Sequence, residues 1–578
     1  MDGGFAARQP YRQFCIHVKF GPPRSTHPEV PTMSSPHAPT SAGPALAELP
    51  ADTSVPLVDL TVGSLLGLRA EAHPDRIALI GTRHGSGEPR RLTYAELHAE
   101  ACRVATALSR LAAPGDFVAM WAPNVVEWPL VQYGAALAGV TLVALNPVLR
   151  GAELEYCLRH SGATVLLHAD LSRDYDMASV AKQMGATVPG LTVVSLGETP
   201  RWRADDADPA VLAAAPTDPD RPVMLQYTSG TTGRPKGVLL RHRSLVNVAR
   251  LTLENVGVEP GAVCVNPLPM FHTAACVIGT LGPLWVGGTE ILIEQFAPGP
   301  VLEAMRRESA TVLFYVPAVL GALLEVQRTS GVPAPRLTTV LGGASNVPPS
   351  MIEAAEQVFG ASVINLFGQT ELAPVLTATR PGDSRADQLQ TVGHPLPQVA
   401  VKITDPTTGE IVPLGVSGEI CARGYQQMIE YLHDPAATAA TVDAQGFVHT
   451  GDLGAMDERG YIRLTGRLKE LIIRKGENIA PAEIESCLVE HEAVLEAAVF
   501  GIPDERSGEI VGAAVRVRGE RPGDLRAALV AHCRERLSPF KVPERWFVTE
   551  EFPLTPTQKV QKFRIVEQAT GGRLEELA

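Results

Sequence analysis

The chain has 578 residues, of which 45% are hydrophobic and 20% charged, and its formal net charge is −13. That length exceeds what one hydrophobic core organises and fits a globular enzyme of more than one domain. The acidic balance, with no basic block, argues against a nucleic-acid partner. Eight scattered cysteines without a Cys-x-x-Cys pair argue against a zinc ribbon or disulfide framework and for a reducing cytoplasm.

Residues 1–50 are rich in Pro, Ser, Ala and His without periodicity and are expected to form a disordered tail. Met33 offers a second start, so residues 1–32 are given no function, and no continuous apolar stretch marks a secretory signal. Residues 94–111 carry apolar side chains at helical spacing, and 117–120 and 164–167 read as buried strands. The longest apolar run, 130–145, is shorter than the ~20 residues a membrane span needs and is read as a buried helix leading into a strand. Alternation of this kind predicts an α/β fold with largely parallel sheets over most of 51–468. Runs at 399–403, 418–422 and 461–464 suggest a smaller β subdomain, and 469–578 a compact α+β unit of common domain size.

The most informative segment is 227–238, Tyr-Thr-Ser-Gly-Thr-Thr-Gly-Arg-Pro-Lys-Gly-Val. Its glycines let backbone N–H groups close around a phosphate. The hydroxyls of Thr228, Ser229, Thr231 and Thr232 add donors, and Lys236 adds a positive charge. Apolar runs lead in (Val223, Met224, Leu225) and out (Val238, Leu239, Leu240), which predicts strand, phosphate loop, strand. It is not a Walker loop: counted from Gly230, Pro235 stands where the second glycine belongs, and Gly237 rather than Ser or Thr follows Lys236.

This segment resembles the phosphate loop of the adenylate-forming superfamily, which includes acyl-CoA synthetases, luciferases and amino-acid adenylation domains. Four further signatures follow in order. They are Asn365-Leu366-Phe367-Gly368-Gln369-Thr370-Glu371; Thr450-Gly451-Asp452-Leu453 with Gly460-Tyr461-Ile462 and Gly466-Arg467-Leu468-Lys469-Glu470; Gly476-Glu477-Asn478-Ile479 with Pro481-Ala482-Glu483-Ile484-Glu485; and Pro553-Leu554-Thr555-Pro556-Thr557-Gln558-Lys559. Together they span most of the chain and resemble the acyl-CoA synthetase or fatty-acid–CoA ligase type.

The resemblance implies an N-terminal adenylation domain (51–468), a mobile C-terminal domain (469–578) with its hinge at Lys469, and the use of ATP, Mg²⁺ and CoA on a small carboxylic acid. By that resemblance Thr228, Ser229, Gly230, Thr231, Thr232 and Lys236 hold the β- and γ-phosphates. Glu371 binds Mg²⁺, which takes carboxylate oxygen, and Thr370 contacts the α-phosphate. Phe367 stacks on adenine, Asn365 hydrogen-bonds beside it with Gly368 and Gln369 completing the segment, and Gly343, Ala344 and Ser345 line the other side. Asp452, acceptor-only, suits the ribose hydroxyls, and the donor fork of Arg467 reaches ribose or phosphate. Lys559 is the catalytic lysine, swinging in to bridge carboxylate and α-phosphate. After rotation of the small domain Arg474, Lys475, Gly476 and Glu477 line the CoA tunnel.

His272, Thr273 and Cys276 follow a segment (267–271) that resembles the flank of the acyl pocket. His272 stands where amino-acid adenylation domains carry Asp, so an unpaired ammonium would be left buried and an apolar acid (fatty, aryl or polycyclic) is favoured over an α-amino acid. His272 either gates the pocket, orients the carboxylate or packs as a core histidine. His449 lies three residues before Asp452, but no third metal ligand stands at suitable sequence spacing. Lys562 is expected to face solvent. Gln558, Glu470, Glu430 and Leu432 depart from the more usual Gly, Asp, Gly and Trp. A single half-reaction, transfer to an acyl carrier protein, and a homodimer stay open at this point.

Overall fold

The alternating pattern folds as α/β structure in a computed structural model that describes residues 45–228, 235–343, 347–474, 477–504, 506–554 and 560–577. The helical spacing near residue 94 becomes the helix Tyr94–Leu108. Its start is fixed by a capping box: the Thr93 hydroxyl accepts the Glu96 N–H and the Glu96 carboxylate accepts the Thr93 N–H. The apolar run at 130–145 divides as read into the helix Glu127–Ala138, buried on all sides, and the buried strand Thr141–Leu145. Gly139, left-handed at φ 73°, ends that helix. Among the described residues no helix is long and apolar enough to cross a membrane.

Two large sheets organise the first two thirds of the chain. The seven-stranded sheet runs, edge to edge, Glu430–Tyr431, Lys236–Arg241, Pro222–Thr228, Thr141–Leu145, Phe117–Trp121, Val165–His168 and Thr192–Ser195. Its pairings are parallel from Pro222–Thr228 onward, and the first three strands are mutually antiparallel neighbours. The nine-stranded sheet has parallel pairings from Ser362–Phe367 through Thr339–Gly343, Val312–Tyr315, Val263–Asn266 and Thr289–Leu292 to Ile77–Thr82, with antiparallel strands at both edges. Parallel strands buried on both faces are nearly continuous apolar runs, which is how they read in the sequence.

The smaller β unit is a five-stranded antiparallel sheet containing Val399–Thr404, Gly418–Gly424, Val448–Met456 and Ile462–Arg467. Its edge strand is Glu48–Leu49, paired with Lys402 and Val401. The expected tail to residue 50 is therefore shorter: Ala47 is fully buried and the segment joins a sheet through partners about 350 positions away, which local composition does not record. Residues 1–44, Met33 among them, lie outside the described residues. After Arg467 a six-stranded sheet with the helices Pro481–Val489, Leu525–Arg536 and Lys562–Thr570 builds its own apolar clusters, centred on Trp546 and on Phe547.

One buried carboxyl lies inside the largest core. Glu290, on Thr289–Leu292, accepts hydrogen bonds from Asn266 Nδ2 (2.8 Å) and Thr280 Oγ1 (3.0 Å). Burial pushes its pKa from 4.5 up to about 8, against the lowering effect of those two hydrogen bonds. Between those pH values the folded chain keeps a proton that the unfolded chain has lost, so this group's contribution is complete below pH 4.5 and is lost as pH rises to 8. Glu290→Gln removes that dependence. Its thermal stability relative to the parent is expected to rise steadily from pH 5 to pH 8, by at most roughly 4 kcal/mol. Parallel melting curves across that range would refute it.

Candidate functional site

The two strands predicted to flank the loop are present: Pro222–Thr228 and Lys236–Arg241 pair in antiparallel register, Thr228 opposite Lys236. Ser229, Gly230, Thr231 and Thr232 lie outside the described residues. The base of the loop is fixed by aromatic hydroxyls. Tyr227 donates to the Cys157 carbonyl (2.9 Å) and lies 3.0 Å from His160 Nδ1, and Tyr156 donates to the Pro235 carbonyl (3.1 Å). A cleft of about 210 Å³ adjoins this base, with Lys236, Gly237 and Tyr431 among its walls.

Glu371 and Lys236 come from different sheets and meet through a residue the sequence reading did not single out. Thr370 and Glu371 form a 3₁₀ turn after Ser362–Phe367, and Glu371 is buried. The Tyr431 hydroxyl donates to Glu371 Oε1 at 2.7 Å, and the Lys236 ammonium sits 4.5 Å from the centre of the Tyr431 ring. Sequence reading passed over Tyr431 because its significance is purely spatial; its one signal was its place in the segment whose neighbours Glu430 and Leu432 depart from the family pattern.

Thr339–Gly343 and Ser362–Phe367 are adjacent strands, so Gly343 faces Leu366 and lies beside Asn365. Gly343 has φ +149°, and a Cβ there would stand 2.2 Å from the Leu366 carbonyl oxygen. Gly368, at φ +159°, would place one 2.1 Å from the Pro374 carbonyl oxygen. Neither site accepts a side chain without movement of backbone. Asn365 is anchored by exchange with Thr379: its N–H donates to Thr379 Oγ1 (2.9 Å) and its carbonyl accepts the Thr379 N–H (3.0 Å). Phe367 is buried, and Gln369 is extended ahead of the turn. Ala344 and Ser345 lie outside the described residues.

Asp452 and Arg467, fifteen positions apart, are cross-strand neighbours, and Arg467 Nε lies 3.0 Å from Asp452 Oδ1. The strand leading to Asp452 is held by Glu419, whose two oxygens take the Gly451 N–H (3.0 Å) and His449 Nδ1 (2.8 Å). This corrects the reading of His449: Glu419 and Cys421 from the neighbouring strand, invisible to local spacing, bring three potential metal-ligand atoms within 4.8 Å of one another. The donors are already engaged, since Glu419 pairs with His449 and the Lys402 ammonium lies 2.7 Å from the adjacent Asp443. Burial pushes the Cys421 thiol up to about 12.

His272 precedes the π-helix Ala274–Gly279, and its carbonyl accepts the N–H groups of Ala275 and Cys276 (3.0 Å each). Its ring lies 4.5 Å from that of Phe271, centre to centre. Thr273 is buried. Cys276 is fully buried, its sulfur 3.3 Å from Gln226 Nε2 and 3.6 Å from Met224 Sδ, which ties the acyl-side segment to the strand that feeds the phosphate loop. Burial raises the Cys276 pKa and keeps it a thiol.

Lys469 is exposed on a 3₁₀ turn, Leu468–Glu470. Lys562 is not the solvent-facing lysine expected: its ammonium lies 2.6 Å from Glu470 and 2.8 Å from Glu485. Burial pulls its pKa down, but the two carboxylates outweigh that and hold it above the ordinary lysine value. Arg474 donates to the Phe540 carbonyl (2.6 Å) and pairs with Glu544 (2.5 Å). Lys475, Gly476 and Lys559 lie outside the described residues, and of Glu477 only the backbone is described, in the strand Glu477–Ile479.

The AMP-binding enzyme family model matches residues 67–432, and the AMP-binding enzyme C-terminal domain model matches 483–559. The chain is 32% identical over 560 residues to the medium-chain acyl-CoA ligase ACSF2, mitochondrial, of Rattus norvegicus, covering 90% of each. The fatty acyl CoA synthetase of Mycobacterium tuberculosis superposes with a TM-score of 0.70 at 30% identity, over 89% of this chain and 99% of that one. ATP-bound MatB from Rhodopseudomonas palustris superposes with a TM-score of 0.76 at 28% identity, over 88% and 99%.

Asp452→Ala is expected to weaken ATP binding about tenfold, the usual effect of losing a hydrogen-bonded charge. Calorimetric titration gives the value directly, and an unchanged affinity takes Asp452 out of the nucleotide site.

Proposed function

Since the chain belongs to the AMP-binding enzyme family and is an acid–thiol ligase of the acyl-CoA synthetase kind, we propose that it adenylates a largely apolar carboxylic acid with release of pyrophosphate, then passes the acyl group to CoA with release of AMP. The observation that carries this reading is the meeting of Glu371 and Lys236 at the base of the phosphate loop. Adenylation brings a carboxylate against the α-phosphate of ATP, so two anions must be neutralised and aligned. Lys236, Thr228 and the loop residues Ser229, Gly230, Thr231 and Thr232 hold the β- and γ-phosphates, the leaving group. Thr370 lies next to Glu371 and contacts the α-phosphate.

Glu371 fits a magnesium ligand. It is a buried carboxylate whose Oε1 is oriented by one hydroxyl donor, and hard cations take carboxylate oxygen. Bound there, Mg²⁺ supplies positive charge to the phosphates. Gly343, Ala344 and Ser345 on one side and Asn365, Phe367, Gly368 and Gln369 on the other enclose the adenine. Asp452 accepts from the ribose hydroxyls, and Arg467, already paired with it, adds donors toward ribose or phosphate.

The two apolar clusters built wholly from residues after Arg467 support a separate domain over 469–578, turning at Lys469. In one orientation this domain brings Lys559 to carboxylate and α-phosphate. In the other it brings Arg474, Lys475, Gly476 and Glu477 to CoA. Substrate class follows from the segment behind His272, where small and apolar residues (Ala274, Ala275, Cys276) offer no carboxylate to an α-ammonium. The relatives named for medium-chain and fatty acyl substrates support the same choice. His272 orients the acid's carboxylate at the pocket entrance. Among the described residues seven buried free thiols suit the reducing cytoplasm in which we place the enzyme.

Pyrophosphate release should require an acid from a panel of fatty, aryl and polycyclic acids, and acyl-CoA should accumulate only when CoA is added. Thioester formed solely from supplied acyl adenylates would reduce the activity to its second half. Transfer to a phosphopantetheinylated carrier but not to CoA would replace the acceptor. Lys559→Ala is expected to lower acid-dependent ATP–pyrophosphate exchange by at least about a hundredfold, while thioester formation from synthetic acyl adenylate stays within a few-fold of the parent. Equal loss of both activities would refute the division of labour between the two orientations.

A further inference from the structure

We propose that Tyr431 is a positioning residue of the nucleotide site, keeping the Glu371 carboxylate and the Lys236 ammonium close together but apart. The inference rests on the reading above, in which Glu371 serves the metal and Lys236 the phosphates. Opposite charges on neighbouring side chains that are at least partly buried tend to collapse into an ion pair, which would satisfy both and leave neither for ligands. Among the described residues Glu371 and Lys236 form no ion pair with each other. Each meets Tyr431 instead, Glu371 at the hydroxyl (2.7 Å) and Lys236 over the ring (4.5 Å from its centre). The ring face attracts the ammonium without neutralising it, and the hydroxyl orients Oε1 without consuming the carboxylate's charge.

The backbone makes this spacer stiff. Tyr431 pairs with Val238 and Glu430 with Leu239, on the strand that carries Lys236. The Leu432 N–H donates to the Gly237 carbonyl and the Ile429 N–H to the Leu239 carbonyl, both at 2.8 Å. On the other side the Met428 N–H donates to the Glu371 carbonyl, again at 2.8 Å. Tyr431 is itself held, its N–H donating to Thr438 Oγ1 (3.0 Å). Five consecutive residues thus hydrogen-bond or pair with the phosphate-loop strand and the turn of Glu371, with the tyrosine ring at the junction.

Two variants separate the two roles. Tyr431→Phe keeps the ring under Lys236 and loses the donor to Glu371. Tyr431→Leu loses both and lets carboxylate and ammonium approach. Mn²⁺ binding in the presence of a non-hydrolysable ATP analogue is read by electron paramagnetic resonance, and analogue binding without metal by calorimetry. Tyr431→Phe is expected to weaken Mn²⁺ about tenfold while metal-free analogue affinity stays within twofold. Tyr431→Leu is expected to weaken both, and replacing Glu371 by Gln in that background is expected to restore metal-free analogue affinity by freeing Lys236.

Parent-like Mn²⁺ and analogue binding in Tyr431→Phe overturns the proposal, even if the variant melts at a lower temperature. So does equal weakening of both ligands in Tyr431→Phe, the mark of a merely structural role. The ligase reading fails separately, if the parent releases no pyrophosphate with any acid while still binding Mn²⁺ and the analogue. A parent protein that binds neither probe overturns both.

Discussion

The extended segment 428–432 is the link on which the site depends. Its hydrogen bonds reach the Lys236–Arg241 strand of one large sheet and the Glu371 turn that follows the other. Each sheet alone presents one charge. The link brings both charges to Tyr431, and in the proposed ligase it sets them within reach of one polyphosphate while Tyr431 keeps them from neutralising each other. Adenylation needs that arrangement, because its difficulty is the approach of two anions rather than the making of a strong nucleophile.

Rigidity around the link comes from backbone contacts that leave no room for variation. Gly343 and Gly368 sit against carbonyl oxygens of the neighbouring chain, and Asn365 is fixed by its exchange with Thr379. The segment proposed to line the acid is tied to the same frame by the buried contacts of Cys276 with Met224 and Gln226. A polar network of Asn266, Thr280 and Glu290 brackets the π-helix Ala274–Gly279, with Asn266 Nδ2 also 3.4 Å from the Ala275 carbonyl oxygen. A π-helix departs from the regular helical ladder, as helices often do at functional sites.

The C-terminal unit is organised on a different principle. Its apolar clusters are its own, and near the turn Leu468–Glu470 it makes charged contacts: Lys562 with Glu470 and Glu485, Arg474 with Glu544. Ion pairs of this kind orient loops at little net gain in stability when partly exposed. A unit held together from within can change its orientation as a body, and the proposed two half-reactions ask this of it.

The sequence by itself determined the α/β class, the buried helix and strand within 130–145, the strands that end at Thr228 and begin at Lys236, and the family, because each is written in local periodicity or contiguous motifs. Asp452 and Arg467 were given separate nucleotide roles by resemblance, and their pairing comes from the register of two adjacent strands. Tertiary structure alone decided that Tyr431 joins Glu371 to Lys236, that Glu419 reaches both His449 and Gly451, that Lys562 is paired rather than solvated, and that Glu48–Leu49 is an edge strand of a sheet. Each of these is a contact between segments 30 to about 350 positions apart, or across a helix-to-turn junction. Nothing in the spacing of a linear chain encodes which distant polar groups will share one buried space.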